Sequence, residues 1–113
     1  MLTPYDVINS LEELVMIAGD STMLYFNVVD NDDVPVDIST GTSSWVLSPY
    51  GDETSVALTK SGTIESTSQF SIELDTADTA SLKGKFVQQC VHVDFLGKEF
   101  RKQGLVTIVP RID

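Results

Sequence analysis

Apolar and polar residues alternate with a period of two in several short runs of this chain, which is typical of β-strands with one face on a core. In the clearest run, polar residues separate Phe70, Ile72 and Leu74. Turn-forming residues recur about every ten residues between the runs, and the pattern predicts an all-β sandwich of about seven strands over residues 14–113. The residues predicted to form its core are Leu24, Phe26, Val28, Trp45, Leu47, Phe70, Ile72, Leu74, Phe86, Val91, Val93, Val106 and Ile108.

The first 13 residues carry the signals of a short amphipathic helix. Thr3 is a suitable N-cap, Pro4 follows at the first helical position, and Leu11 lies at helical spacing from the apolar residues around it. We expect residues 1–13 to form an N-terminal arm or short helix. Such an arm either caps its own sandwich or docks on a neighbouring subunit. Its candidate partner contacts are Leu2, Tyr5 and Ile8.

An acidic turn, residues 30–37, separates two predicted strands and holds a short run that we interpret as a small edge hairpin. Asp and Asn side chains bond their own backbone and tolerate left-handed dihedral angles, which is enough to explain the turn. Several carboxylates in one loop also suit calcium, although the Gly and terminal Glu of the helix-loop-helix calcium loop are absent. The candidate calcium ligands are Asp30, Asp32, Asp33 and Asp37.

The second half of the chain predicts a helical turn at residues 75–82, which crosses from one sheet to the other. A long strand follows at residues 86–95, and a tight hairpin around Gly97 leads into the last strand, at residues 99–109. Trp45 lies between alternating Ser and Val residues, which favours a core position over an exposed anchor for a partner.

The chain of 113 residues has a net charge of −10, and its acids are unevenly distributed. Residues 1–59 contain ten Asp or Glu and no Lys or Arg, so this half repels nucleic acid and anionic membranes, and neither is an expected partner. A basic protein surface or a cation remains open, as does a simple role in solubility. With no signal-peptide pattern or long apolar run, we expect synthesis in the cytoplasm and no membrane insertion.

Cys90, His92 and Asp94 alternate along one predicted strand, a spacing that suggests a metal site or a nucleophile beside its base. A closed zinc site needs a fourth ligand, and the chain has no other His or Cys. We therefore interpret this face as a partly exposed outer sheet face, with Cys90 as a small buried filler. The sequence predicts no catalytic site, no cofactor other than the candidate calcium, and no enzyme.

A basic cluster near the last hairpin is a second candidate partner surface, formed by Lys98, Arg101 and Lys102. The acidic first half and this cluster are complementary in charge, so copies could meet head to tail or dock on an oppositely charged lattice. A solvated hairpin explains the same residues without any partner.

Several short motifs occur in a fixed order between residue 19 and about residue 109. They are Gly19-Asp20-Ser21, Pro35-Val36-Asp37, the strand end from Trp45 to Gly51, the turn from Thr59 to Gly62, Asp78-Thr79-Ala80 and Gly84-Lys85-Phe86. Together they resemble the immunoglobulin-like domain of phage baseplate upper proteins and related small phage virion proteins. Two features differ from that family: Asp33 stands where the family usually has Gly, and the family usually continues into a longer C-terminal region, whereas this sequence stops at Asp113.

The resemblance implies an immunoglobulin-like β-sandwich and a non-enzymatic structural role in the virion, as a capsid decoration protein or a tail or baseplate accessory. Its expected partners are other virion proteins, contacted in many copies and with homo-oligomers allowed, since multivalency compensates for modest single-site affinity. The alternative is a calcium-assisted carbohydrate-binding module for host-surface adhesion. That alternative uses the acidic turn for calcium and Tyr25 or Tyr50 as a sugar platform.

Overall fold

In a computed structural model, the described residues are 13–30 and 32–112. The predicted N-terminal arm, with Leu2, Tyr5 and Ile8, lies outside them. The strands are β1 Leu14–Ile17, β2 Thr22–Asn27, β3 Thr42–Pro49, β4 Leu58–Ser61, β5 Thr63–Ser66, β6 Gln69–Leu74, β7 Gly84–Val93 and β8 Glu99–Val109, with a single-turn helix α1, Thr76–Thr79, between β6 and β7.

The strands form a sheet of five and a sheet of three, so the predicted all-β sandwich is confirmed. In the five-stranded sheet the order is β1-β8-β7-β3-β4, and in the three-stranded sheet it is β2-β6-β5. The edge strand β1 pairs with β8 in parallel, whereas the other neighbouring strands are antiparallel. Consecutive strands β2 and β3 lie in different sheets, which makes the long connection through the acidic turn necessary.

The core lies between the two sheets, where β3 contributes Trp45 and Leu47 and β6 contributes Phe70, Ile72 and Leu74. Trp45 is fully buried, as its pattern predicted, and its indole Nε1 donates to Gln88 Oε1 at 2.9 Å. The Phe70 ring stacks on Phe26 with 5.2 Å between centroids. The alternating runs that predicted these strands therefore also predicted which residues fill the core.

The assignment of Val91 and Val93 to the core is wrong. Both valines are only partly buried, and the register with β3 places them on the outer face of β7. Phe86, Cys90 and His92 alternate with them and are buried on the inner face, so the interpretation of this set as a partly exposed outer face is also wrong, whereas the interpretation of Cys90 as a small buried filler is confirmed. The physical reason is that polar side chains on the inner face have hydrogen-bond partners on β3, which offsets the cost of their burial.

The predicted crossover between the sheets contains α1. The Asp75 N–H donates to Asp78 Oδ2 at 2.7 Å, which satisfies a backbone donor at the start of the helix. Asp78 also pairs with Lys60 of β4 at 3.0 Å. At the other end of α1, the buried Thr79 hydroxyl accepts a hydrogen bond from the Gly19 N–H, and so fixes the β1–β2 turn against the crossover.

Candidate protein-interaction surfaces

The acidic turn is held by its own carboxylates. Asp30 Oδ1 accepts hydrogen bonds from the backbone N–H groups of Asp32, at 2.8 Å, and Val34, at 3.1 Å. Asp33 adopts a left-handed conformation with φ of 60°, which explains how a residue other than Gly fits there. The predicted edge hairpin is reduced to an isolated bridge between Val29 and Pro35. These contacts confirm the local turn chemistry expected of Asp, whereas Asn31 lies outside the described residues.

Asp37 is engaged in a similar way, since its Oδ1 accepts from the Ser39 hydroxyl at 2.6 Å and from the Ser39 N–H at 2.9 Å. These two hydrogen bonds hold the pKa of Asp37 below its ordinary value. Within residues 13–30 and 32–112, no three His, Cys, Asp or Glu side chains come together in a way that could hold a metal ion. The calcium site at Asp30, Asp32, Asp33 and Asp37 stays a prediction.

The chemistry suggested for Cys90, His92 and Asp94 has a different setting from the one expected. Cys90 is buried, and burial raises the pKa of its thiol to about 12, so the thiol is protonated at neutral pH and is a poor nucleophile. Asp94 lies beyond the end of β7, in the hairpin, where its Oδ1 accepts from the backbone. The three side chains therefore belong to different environments.

His92 instead forms a buried link between β7 and the start of β3. Its Nε2 lies 2.9 Å from the Thr40 carbonyl oxygen, which can only accept, so Nε2 carries the proton. Nδ1 and the Ser43 hydroxyl lie 2.7 Å apart and form the second hydrogen bond of the ring. The pair has the spacing of a nucleophile and its base, but Ser43 and His92 are both buried. The two hydrogen bonds of the His92 ring hold the Thr40–Gly41 turn against the end of β7. Sequence reasoning missed Ser43, which looks like any strand serine.

The three basic residues of the predicted cluster have separate contacts. Lys98 Nζ lies 5.2 Å from the Phe100 ring centroid, and Arg101 pairs with Glu99 at 2.8 Å. Lys102 lies on the opposite face of β8 from Arg101 and donates to the Asn27 carbonyl, so it bridges to the three-stranded sheet. The acidic turn follows Asn27 and lies at this same end of the sandwich, so the hairpin cluster and the acidic turn are not at opposite ends.

The outer face of the five-stranded sheet exposes an apolar surface that sequence reasoning missed. The exposed fractions are 63% for Val15, 46% for Ile17 and 44% for Leu105, and the partly buried Val87 lies beside Leu105. The sequence did contain a signal for this exposed apolar surface, because apolar residues on β1 and β8 occupy both alternating sets of positions.

This face also carries few carboxylates. Among its described strand residues the one carboxylate is Glu99, which is bonded to Arg101 at the hairpin end, and Lys85 of β7 lies on the same face. Glu13, just before β1, accepts from the Thr107 hydroxyl at 3.4 Å. In a chain with net charge −10, a sheet face with one strand carboxylate, two basic residues and exposed apolar side chains is therefore distinct from the rest of the surface.

The two tyrosines of the sugar-platform alternative are both exposed. Tyr25 lies on β2 in the three-stranded sheet, whereas Tyr50 follows β3 of the five-stranded sheet. The two tyrosines therefore do not lie side by side on one sheet as a single sugar platform would require. Within the described part of the chain, no helix has the length and apolar character needed to cross a membrane.

No family model and no curated protein matches the chain in sequence. Solved structures do match it in fold. CopC from Methylosinus trichosporium OB3b has a TM-score of 0.51 at 11% identity, over 89% of this chain and 87% of that one. The fibronectin(III)-like modules of Clostridium thermocellum CbhA have a TM-score of 0.51 at 7% identity, over 89% and 91%.

A putative glycoside hydrolase from Bacteroides vulgatus has the higher TM-score of 0.56, at 12% identity over 88% of this chain. The match spans only 17% of the hydrolase, so it concerns one part of that protein. At such identities the likeness concerns fold alone. Together with the strand order, it makes the chain an immunoglobulin-like β-sandwich.

Proposed function

We propose that this chain is a non-enzymatic, protein-binding immunoglobulin-like domain that serves as a structural protein of a phage particle. The observation that carries the protein-binding role is the apolar patch on the outer face of the five-stranded sheet, with Val15, Ile17 and Leu105 exposed. The resemblance of the ordered turn motifs to small phage virion proteins supports the particle assignment. The burial of Cys90, Ser43 and His92 supports a role without catalysis.

The mechanism is burial of this outer face against a neighbouring protein in the particle. A fully buried Val, Leu or Ile side chain contributes about 1.5–3 kcal/mol relative to its exposed state, and these residues are already partly covered. Association costs at least about 4 kcal/mol in lost translational and rotational freedom, so one such face gives a modest affinity. Display in many copies on a repeating lattice then increases the overall binding strength.

Cross-linking mass spectrometry on intact phage particles that contain the chain tests this proposal. Lys85 is the informative lysine, because it lies on the outer face beside Thr107, which pairs with Val15 on its other side. Lys60 is the matched control, because it belongs to the edge strand β4 and pairs with Asp78. We expect Lys85 to link to another virion protein more often than Lys60 does.

Links from Lys85 to a major capsid protein would identify a decoration protein, and links to tail or baseplate proteins would identify an accessory of that structure. Absence of the chain from purified particles would overturn the particle assignment. Equal linking from Lys60 and Lys85 would overturn the role of the outer face.

A further inference from the structure

The two lateral sides of the sandwich are built differently. On one side β4 and β5 are joined at Gly62, whose N–H donates to the Ser43 carbonyl, so the chain crosses directly from the five-stranded to the three-stranded sheet. On the other side β1 and β2 are the edge strands of the two sheets. Among the described residues, no strand lies between these two edges. We call the space between β1 and β2 the open side.

The open side is a groove with an apolar lining. It consists of two adjoining hollows of about 410 and 260 Å³, which share Leu14 of β1 and Leu24 of β2, and the larger hollow also contacts Gln88. The β1–β2 turn lies at one end of the groove, and at the other end Lys102 of β8 donates to the Asn27 carbonyl of β2. The groove therefore has about the length of β2, whose six residues extend about 20 Å.

Backbone groups of β2 point toward this groove. The Val28 N–H donates to the Ser68 carbonyl at 2.8 Å, in the same register that pairs β2 with β6, so the even-numbered residues of β2 are the ones bonded to β6. The N–H and C=O groups of Met23 and Tyr25 therefore point away from β6, and they have no partner among the described residues. The Asn27 carbonyl, next in the same set, accepts from β8 across the open side, which supports this direction.

This row of backbone groups determines what can cover the groove. Donors and acceptors follow one another along β2 at the spacing of a strand, so an extended segment satisfies them together, as in the addition of a strand to a sheet edge. Edge strands are commonly protected from such pairing by Pro, Lys or a bulge. β2, with the sequence TMLYFN and an uninterrupted register, has none of these. Its free edge is open to a further strand.

The charge of the groove indicates what flanks such a segment. Both β1 and β2 lie in the half of the chain without Lys or Arg, and the charged residues that line the two hollows are Glu13 and Asp20. Asp20 already has Arg111 at 3.9 Å, so the exposed Glu13 is the carboxylate that a basic residue can approach. A second copy that offered its own β1 or β2 would bring the same carboxylates, which disfavours it as the occupant.

We propose that an extended segment of a partner protein adds to the free edge of β2 and joins the three-stranded sheet as its fourth strand. Its backbone pairs with Met23 and Tyr25, its alternate side chains are apolar and cover Leu14 and Leu24, and a flanking Lys or Arg lies beside Glu13. Main-chain hydrogen bonds supply the affinity, and the groove selects the side chains. The site differs from the outer face of the five-stranded sheet and does not require the particle assignment, so it goes beyond the function proposed above.

Amide hydrogen exchange, followed by nuclear magnetic resonance on the purified full chain, tests this site directly. The probe is a synthetic peptide of about the length of β2 that alternates Val and Thr between terminal lysines, added at up to about 1 mM. We expect the peptide to slow exchange of the Met23 and Tyr25 amides at least about tenfold, because these donors become bonded. The Leu24 and Phe26 amides, which are already bonded to β6, should change little.

Two methylated peptides separate strand addition from non-specific adsorption. Methylation of the Thr nitrogens blocks pairing of an antiparallel strand whose Val side chains face the groove, and methylation of the Val nitrogens blocks a parallel one. One of the two should therefore bind at least about tenfold more weakly than the parent peptide in fluorescence anisotropy, and the other should bind nearly as well.

Variants of the chain provide a second comparison. Met23→Pro removes one N–H that points toward the groove, at a strand edge where Pro is tolerated, and should weaken binding of the parent peptide. Met23→Val is the matched control, because it keeps the N–H and should bind as the wild type does. Glu13→Gln should weaken binding of the lysine-ended peptide mainly at low salt. Far-ultraviolet circular dichroism confirms that each variant is folded.

Unchanged exchange at Met23 and Tyr25 in the presence of the peptide would overturn the proposal, as would equal affinities for all three peptides. A wild-type chain that binds no peptide would also overturn it and would leave residues 1–12 or a second copy as the occupant of the groove. These outcomes are separable from the particle experiment. A chain that binds no peptide but cross-links through Lys85 in particles would remove the strand-addition site and leave the proposed function intact, and peptide binding by a chain that is absent from particles would do the reverse.

Discussion

On the inner face of the five-stranded sheet, the polar side chains of Gln88 and His92 are buried, whereas on its outer face Val15, Ile17 and Leu105 remain exposed. The two faces differ in hydrogen bonding: each buried polar side chain on the inner face has a partner on or beside β3, so its burial is compensated. On the outer face, by contrast, Val15, Ile17 and Leu105 keep apolar area in contact with water. The contrast shows that the inner face of the sheet stabilises the fold, whereas the outer face leaves apolar surface available to a partner.

The largest effect should come from removing the side chain at the centre of the inner face. Trp45→Ala leaves a cavity and deprives Gln88 Oε1 of its donor, so we expect a loss of about 3–5 kcal/mol in the free energy of unfolding. Urea denaturation measures it. Tyr25→Ala, at an exposed aromatic, should change the same quantity by less than about 0.5 kcal/mol. Similar losses for both variants would contradict the assignment of the core.

A smaller effect should separate two neighbouring serines on opposite faces of β3. Ser43→Ala removes the hydrogen-bond partner of His92 Nδ1 and leaves this buried ring nitrogen unsatisfied, which should cost about 1–3 kcal/mol. Ser44 points to the outer face, so Ser44→Ala should stay within about 0.5 kcal/mol of the wild type. Denaturant midpoints of the two variants provide the comparison. A larger loss of stability for Ser44→Ala than for Ser43→Ala would contradict the assignment of Ser43 to the inner face and Ser44 to the outer face of β3.

A still smaller effect concerns acid stability at the ion pair between β4 and α1. The Asp75 N–H and the Lys60 ammonium lower the pKa of Asp78 from its ordinary 3.8. A lowered folded-state pKa stabilises the fold fully above the unfolded value and loses that contribution as the pH falls through the folded one. The wild type should therefore lose more stability than Asp78→Asn as the pH is lowered below 3.8. Parallel pH profiles for the two proteins would contradict this assignment.

The smallest effect expected is that of calcium. Asp30 and Asp37 each direct an oxygen to backbone or hydroxyl donors of their own loop, so the structural interpretation predicts little change in melting temperature when calcium or a chelator is added. Differential scanning fluorimetry at increasing calcium measures it, with magnesium as the control. A melting temperature that rises with calcium alone would favour the carbohydrate-binding module.

The sequence was sufficient to predict the sandwich and most of its core because strands such as β6 have one strictly apolar set of alternating positions. It was insufficient for β7, where valines occupy one set and Gln88, Cys90 and His92 the other. Hydrophobicity alone predicted that the valines are buried. The hydrogen-bond partners that compensate for burial of the polar side chains lie on or beside β3, far away in sequence. The fully buried Ile38 was missed for a related reason, since it lies in an irregular connection outside the strands.

The candidate surfaces were less predictable than the fold. The acidic turn was read correctly as local turn chemistry, because Asp30 contacts residues only two and four positions away. The outer face combines residues from strands distant in sequence, such as Val15 with Thr107. Pairings of this kind depend on strand order and register, which a single sequence does not specify.

The central claim is that the outer face of the five-stranded sheet binds a neighbouring protein in the particle, and competition between variants tests it most directly. Tagged wild-type chain, Leu105→Glu and Tyr25→Glu would be expressed during infection and quantified in purified particles by mass spectrometry. We predict that Leu105→Glu is folded but incorporated at least tenfold or so less than the wild type, the loss typical of an interface hot spot, whereas Tyr25→Glu is incorporated normally. Incorporation of Leu105→Glu at the wild-type level would contradict the account.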